Sequence, residues 1–127
     1  MNLDSPNLIV EQINKQVAIL EALSDDYARK ILISTLSDAK SIEEISHENG
    51  IPISTCYRRV RELLDMQILR VDRTIITGTG KKYETYRSAF DGASIVLSSE
   101  GVSVDVTFIH REPARPLQDM LQVMGGE

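Results

Sequence analysis

Apolar residues recur at helical spacing in the first half of the chain and at alternate positions in the second half. From about residue 6 to residue 66, apolar residues follow one another at intervals of three and four residues, with breaks at 24–25, 37–40 and 50–52. Apolar and polar residues then alternate over 68–77, 82–88, 93–98 and 102–109. The first spacing is typical of amphipathic helices and the second of half-buried strands. The pattern predicts four helices followed by two β-hairpins.

Small polar residues, whose side chains can accept a hydrogen bond from a backbone amide, mark the predicted helix starts. Cap residues are expected at Ser5, Ser24, Ser41 and Ser54. Glu44 follows Ser41 at the capping-box distance, so each can satisfy a free amide at the start of the third helix. Gly50 follows that helix, and we expect it in the left-handed conformation that ends helices.

The first helix carries a narrow apolar seam. Its members are spaced by three, four and three residues, as in a short coiled coil: Val10, Ile13, Val17 and Leu20. Such a seam can pack on the chain's own core or on a second copy of the chain. We expect it to be a dimer contact, which makes the protein a homodimer. A second apolar set with helical spacing, at 117, 120, 121 and 124, predicts a short amphipathic tail.

The fourth helix separates apolar from basic residues most clearly. On a helical wheel Cys56, Val60, Leu63 and Leu64 share one side, and Arg58 points away from them. Arg58, Arg59 and Arg61 fall in the first half of the helix, where the helix dipole disfavours cations. A polyanionic partner explains this arrangement.

The charge distribution agrees with that inference although the chain is acidic overall. The net charge is −5, but residues 54–87 alone carry +4, between an N-terminal part of −5 and a C-terminal part of −4. A basic segment of this kind can attract phosphate while the remainder of the surface repels it.

Several classes of protein are disfavoured by the composition. A single cysteine, Cys56, excludes an intrachain disulfide and suits a cytoplasmic location. Two histidines and one cysteine are too few for most Cys/His metal sites, so no metal or other cofactor is expected. No signal peptide or membrane-spanning run is apparent. No arrangement of catalytic residues stands out, so no enzymatic activity is expected.

The order of predicted elements resembles the winged helix-turn-helix of ArsR-like transcriptional regulators, including short archaeal ones. The resemblance covers about residues 22–88 and is carried by three stretches: Ala22–Leu32, Ser41–Ser46 and Ile53–Leu69. The chain lacks the clustered cysteines with which many relatives sense metals. Gln67 stands where the family often has glycine.

The resemblance implies an α+β fold with three parts. These are an N-terminal helix over 1–23, a winged helix-turn-helix DNA-binding domain over 24–90, and a β-hairpin extension with a tail over 91–127. The fourth helix would enter the major groove of DNA, and the tip of the first hairpin would reach the backbone or the minor groove. The implied function is sequence-specific regulation of transcription.

Candidate DNA-binding residues follow from the face of the helix on which they lie. Arg58 is the first candidate for reading a base, because arginine can bond guanine through two atoms and Arg58 faces directly away from the core. Arg59 is expected to clamp a phosphate, and the lysines of the hairpin tip to hold the DNA backbone. The remaining candidates complete the set: Ser54, Thr55, Tyr57, Arg61, Arg73, Lys81 and Lys82.

Two other functions fit the same elements. A winged helix can also serve as a protein–protein interaction module in a transcription-related assembly, and the acidic terminal segments favour this alternative. RNA binding is the second, but the chain has only two phenylalanines and four tyrosines from which to build a base-stacking surface.

Overall fold

Within the part of the chain that it describes, residues 6–108 with side chains from Lys15 onward, the computed structural model has four helices and five strands. The α+β class is therefore confirmed. Ser5, the side chains of Val10 and Ile13, and the predicted tail lie outside the described residues. The elements are α1 (Pro6–Ser24), α2 (Asp26–Ser34), β1 (Lys40–Ser41), α3 (Ile42–Asn49), α4 (Ile53–Asp65), β2 (Leu69–Ile76), β3 (Lys82–Ser88), β4 (Gly92–Ser98) and β5 (Gly101–Thr107).

The predicted ends of α3 are confirmed. The Ser41 hydroxyl accepts the Glu44 amide at 3.2 Å, and the Glu44 carboxylate accepts the Ser41 amide at 3.1 Å. Gly50 follows the helix with φ 62°, and its amide donates to the Ser46 carbonyl. Glycine adopts this left-handed conformation without strain, so the chain turns sharply here toward α4.

Two predicted caps are wrong. Ser24 is the last residue of α1, and it is the Asp25 carboxylate that accepts the Ala28 amide, at 2.8 Å, and caps α2. Ser54 lies inside α4, which begins one residue earlier, with Pro52 in the cap position. An aspartate next to the predicted serine therefore caps α2, and no side chain of the described residues caps α4.

The C-terminal half of α1 packs on the core through a face that differs from the predicted seam. Ile19 and Ala22 are buried, Leu20 is half-buried against them, and Val17 is exposed. Of the predicted seam, Leu20 therefore packs against the core, and Val17 is exposed to solvent. Among the helices of residues 6–108, none has both the length and the apolar content needed to cross a membrane.

Two antiparallel sheets follow the helices. In the first, β3 lies between β2 and the two-residue strand β1, which the sequence pattern did not predict. The register of β2 on β3 shifts between Val71 and Arg73, which is a bulge at Asp72. The second sheet is the β4–β5 hairpin, in which Ser98 lies opposite Gly101.

One core joins α1, all three helices that follow it and the first sheet. Its most buried side chains include Ile31, Leu32, Ile45, Val60 and Ile68. Cys56 belongs to this core with no exposed surface, and burial raises the pKa of its thiol. A buried thiol of raised pKa is a packing residue with little thiolate and low reactivity.

A pair of buried hydroxyl groups fastens β3 to the end of α2. The Thr35 and Ser88 hydroxyl oxygens are 3.0 Å apart, and the Ser88 hydroxyl also donates to the Leu32 carbonyl at 2.8 Å. The Ser88 amide donates to the Thr35 carbonyl at 3.0 Å. Because buried polar groups are costly unless they are paired, this network holds the hairpin in one position on the helices.

The corner between α4 and β2 contains the only residue other than glycine with positive φ in the described backbone. Gln67 has φ 62°, and the Gln67 and Ile68 amides donate to the Leu64 and Leu63 carbonyls at 3.0 and 3.2 Å. This is a Schellman motif with glutamine in the position that glycine prefers. A side chain in this conformation strains the backbone by roughly 1 kcal/mol.

We predict that Gln67→Gly stabilises the protein by about 0.5–1 kcal/mol, since relief of the strain exceeds the added entropy of the unfolded chain. Gln67→Ala is the matched control, because it removes the same side chain and keeps a Cβ atom. Urea denaturation of the three proteins measures the difference. Equal stability of the glycine and alanine variants would show that the corner is not strained.

Candidate nucleic-acid interface

The exposed face of α4 carries two arginines. Cys56, Val60 and Leu63 are buried on the opposite face, and Arg58, two residues from both Cys56 and Val60, points away from them. Arg58 and Arg61 are both exposed. Neither forms an ion pair with any side chain of residues 15–108. Their positive charges face solvent.

The start of α4 adds backbone donors next to these arginines. The first intrahelical bond runs from the Cys56 amide to the Pro52 carbonyl at 2.9 Å, so the amides of Ile53, Ser54 and Thr55 precede the bonded ladder. Within the described part of the chain, no side chain caps this end and no acidic residue lies in the first turn. Ser54 is exposed and Thr55 is half-buried. Free amides and the positive end of the helix dipole together attract anions.

Arg59 differs from Arg58 and Arg61 because its guanidinium forms ion pairs within the protein. Its guanidinium donates to the Asp25 carboxylate at 3.1 Å and to the Glu62 carboxylate at 2.9 Å. The side chain is only 26% exposed. Since Asp25 also caps α2, Arg59 ties α4 to the start of α2. These two ion pairs give Arg59 a positioning role between α4 and α2, and its contact with phosphate stays a prediction.

The tip of the β2–β3 hairpin holds two further exposed cations, Lys81 and Lys82. The Thr77 amide donates to the Lys81 carbonyl at 2.8 Å, and the Lys81 amide donates to the Thr77 hydroxyl at 3.0 Å. Gly80, with φ 82°, closes the turn with a bond to the Thr77 carbonyl at 2.9 Å. The tip is thus ordered, while both lysine side chains extend into solvent without an ion pair to residues 15–108.

A cleft of about 780 Å³ joins α4 to this tip. Of the predicted residues, Tyr57 on α4 and both lysines line it together. Its other walls, which the sequence did not predict, come from β1, α3, β3 and the turn before β3: Ser41, Ile42, Glu43, Thr77, Tyr83, Glu84 and Tyr86. Glu43 and Glu84 repel phosphate inside the cleft. With Lys81 and Lys82 in the same lining, the cleft itself is of mixed charge.

Tyr86 forms a buried wall of this cleft. Its hydroxyl donates to the Glu84 carboxylate at 3.2 Å. Burial first, and then the neighbouring carboxylate, raise the pKa of Tyr86 to about 12. The phenol therefore stays neutral and remains a hydrogen-bond donor to Glu84 at physiological pH.

Arg73 lies apart from the other candidates. It sits on β2 opposite Thr85, just after the bulge, and does not line the cleft. Its nearest carboxylate partner is Asp72 at 3.7 Å, and its side chain is largely exposed. Arg73 therefore does not belong to the group of cations at the tip.

Metal-ligating residues do not cluster in residues 6–108, where no three His, Cys, Asp or Glu side chains come together in a way that could hold an ion. Cys56 is buried and His47 is exposed at the end of α3, so these two do not share a site. His110 lies outside the described residues.

Comparison of the chain with models of protein families finds no match, and comparison with curated proteins finds no significant relative.

Proposed function

We propose that this protein is a sequence-specific, double-stranded-DNA-binding regulator of transcription with a winged helix-turn-helix. In this proposal α4 is the recognition helix in the major groove, and the β2–β3 hairpin is the wing on the backbone or the minor groove. The observation that carries the proposal is that Arg58 and Arg61 are exposed and form no ion pair with residues 15–108, beside a start of α4 that no side chain of those residues caps.

The connection between α3 and α4 supports a helix-turn-helix. Three residues, Gly50, Ile51 and Pro52, separate the two helices, and Gly50 has the positive φ typical of such turns. Ile51 is buried, so the turn is anchored in the core. In proteins of this kind the second helix presents its N-terminal residues to base edges. In this chain those residues are Ser54, Thr55, Tyr57 and Arg58.

A division of labour among the cations follows from their surroundings. Arg58 lies on a rigid helix, whose diameter suits the major groove, and its planar guanidinium can bond the O6 and N7 atoms of guanine together. Arg61 lies one turn further along the same exposed face. Lys81 and Lys82 are long, exposed point charges on the hairpin tip, which suits phosphate without regard to sequence.

A protein–protein interaction module is the competing function. It would use the same exposed surface of α4, where Arg58 and Arg61 form no ion pair with residues 15–108, so the partner must carry acidic groups. Binding of duplex DNA that weakens steeply with salt favours the DNA proposal, because phosphate contacts release counterions. Absence of duplex binding at low salt favours the protein partner.

The first test concerns base reading. Arg58→Ala should weaken binding to a duplex selected from a random pool by about 1–3 kcal/mol, and should affect unselected duplex much less. Lys30→Ala is the matched control, since Lys30 is an exposed cation of α2 that forms no ion pair with residues 15–108. Fluorescence anisotropy gives both affinities. Unchanged affinity of Arg58→Ala for the selected duplex would refute the assignment of α4.

The second test concerns the wing. Replacing Lys81 and Lys82 together by alanine should weaken binding to selected and unselected duplexes alike. The slope of log affinity against log salt should fall by roughly 2, since each lysine neutralises one phosphate. Both side chains are exposed, so thermal unfolding should not change. An unaltered salt slope would mean that the hairpin does not contact DNA.

A further inference from the structure

Three of the four tyrosines in the chain line one cleft. Tyr57 of α4 and Tyr83 and Tyr86 of β3 all border the space of about 780 Å³ between α4 and the β2–β3 hairpin, which we call the tyrosine cleft. Tyr57 and Tyr83 are 48% and 38% exposed, and Tyr86 is buried. Proteins hold unpaired bases by stacking them on aromatic side chains. The tyrosine cleft offers aromatic surface of this kind, although the chain has few aromatic residues in total.

The charged side chains of the tyrosine cleft change sign from the tip of the hairpin to its base. Lys82, Glu84 and Tyr86 are alternate residues of β3, so they lie on one side of the strand in this order, roughly 7 Å apart. Lys81 adds a second positive charge at the tip. Glu43, in the first turn of α3, adds a second carboxylate near the other end, because β1 pairs with β3 at Tyr86 and leads directly into α3. A ligand in the cleft therefore meets cations at one end and carboxylates at the other.

Both carboxylates of the tyrosine cleft can accept further hydrogen bonds. The Tyr86 hydroxyl donates to Glu84 Oε2 at 3.2 Å. Within residues 15–108, Glu84 Oε1 and the Glu43 carboxylate have no hydrogen-bond or ion-pair partner. An ionised carboxylate accepts hydrogen bonds and donates none, so it favours ligand groups with N–H donors. It also repels anions, which directs an anionic part of the ligand toward the lysines.

The positive and negative ends of the tyrosine cleft do not neutralise each other, since neither Lys81 nor Lys82 forms an ion pair with any side chain of residues 15–108. An inorganic anion would use only the lysines. An aromatic amino acid carries its ammonium and carboxylate groups on one carbon and cannot place them at separate ends. In a nucleotide the sugar holds the base and the phosphate apart. A nucleotide therefore matches the rings, the carboxylates and the lysines together.

We propose that the tyrosine cleft binds one nucleotide whose base carries an exocyclic amino group. The base lies among the tyrosine rings and donates from its amino group to Glu84 or Glu43, and the phosphate lies at Lys81 and Lys82. Adenine, guanine and cytosine have such a group, whereas thymine and uracil present a carbonyl oxygen that a carboxylate repels. The volume of the cleft is within the range of roughly 300–1,000 Å³ that small-ligand sites occupy.

The nucleotide is either a free molecule or the unpaired end of a DNA strand, because both present the same base and phosphate. Neither case requires α4 to enter a major groove, so this proposal does not rest on the proposed function. The two share only the lysines of the tip and Tyr57.

The first experiment is calorimetric titration of the full chain with dAMP, dCMP and dUMP. The last two differ only in an amino or a carbonyl group on the base, so dCMP should bind roughly 10-fold more tightly than dUMP. Glu84→Gln should narrow this difference, since an amide can donate to the carbonyl of dUMP. Glu100→Gln is the matched control, because Glu100 is an exposed glutamate between β4 and β5 that does not line the cleft.

The contribution of stacking is measured with a pair of variants at Tyr57. Tyr57→Ser removes the ring and should weaken dAMP binding by roughly 10-fold. Tyr57→Phe keeps the ring and should bind dAMP like the parent protein. Both variants should remain folded by circular dichroism, because the side chain is half exposed.

The second experiment distinguishes the two sources of the nucleotide. Fluorescence anisotropy compares a blunt duplex with the same duplex carrying a short single-stranded overhang of dA. An overhang that tightens binding, with a gain that Tyr57→Ser removes, identifies the ligand as a strand end. Binding of dAMP with no gain from the overhang identifies it as a free nucleotide. Either result supports the proposal.

No binding of dAMP together with equal affinity for blunt and overhanging duplexes overturns the proposal. Equal binding of dCMP and dUMP, or of the corresponding overhangs, also overturns it, as does binding of L-phenylalanine in place of the nucleotides. Arg58 does not line the cleft, so Arg58→Ala should leave dAMP binding and the gain from the overhang unchanged. The effect of Arg58→Ala on blunt duplex tests the proposed function separately, so the failure of one proposal is distinguished from the failure of the other.

Discussion

Cys56, Val60 and Leu63 form the buried face of α4, and the orientation of every other α4 side chain depends on how this face packs. The three side chains lie among α2, α3 and the start of β2, and Cys56 and Val60 have almost no exposed surface. Because a helix turns by 100° per residue, burial of these positions directs Arg58 and Arg61 outward. It also directs Arg59 sideways, toward Asp25 at the start of α2. The core therefore determines which cations are available to a partner.

The position of the hairpin relative to α4 depends on a second set of contacts. Thr35 and Ser88 bind each other and the α2 backbone without contact with water, and Arg87 donates to the Ser37 carbonyl at 2.7 Å. These bonds hold the base of β3 against the helices. The pairing of β2 with β3 and the turn that Thr77 closes fix the position of the tip relative to the base of β3. These contacts let Lys81 and Lys82 line one cleft with Tyr57, although the lysines follow it by 24 or more residues in the sequence.

Local features of the structure could be predicted from the sequence, because the interactions behind them are local. Ser41, Glu44 and Gly50 bind within one helix and its end, and β3 has the bounds that its alternation predicts. Features that depend on distant partners could not. The role of Arg59 requires Asp25, 34 residues earlier, and β1 is too short to show a period. Alternation showed that Val102, Val104 and Val106 share a face, but it could not show that only Val104 would be buried.

The proposed function requires DNA to bind the exposed face of α4 together with the hairpin tip. Nuclear magnetic resonance of the nitrogen-labelled chain, titrated with a short unselected duplex at low salt, tests it most directly. We expect the amide signals of Ile53–Arg61 and Thr77–Lys82 to shift first, together with the guanidinium signals of Arg58 and Arg61. The signals of Arg59 and of the β4–β5 hairpin should change much less. Shifts concentrated on the β4–β5 hairpin or α1, or no shifts at all, would contradict it.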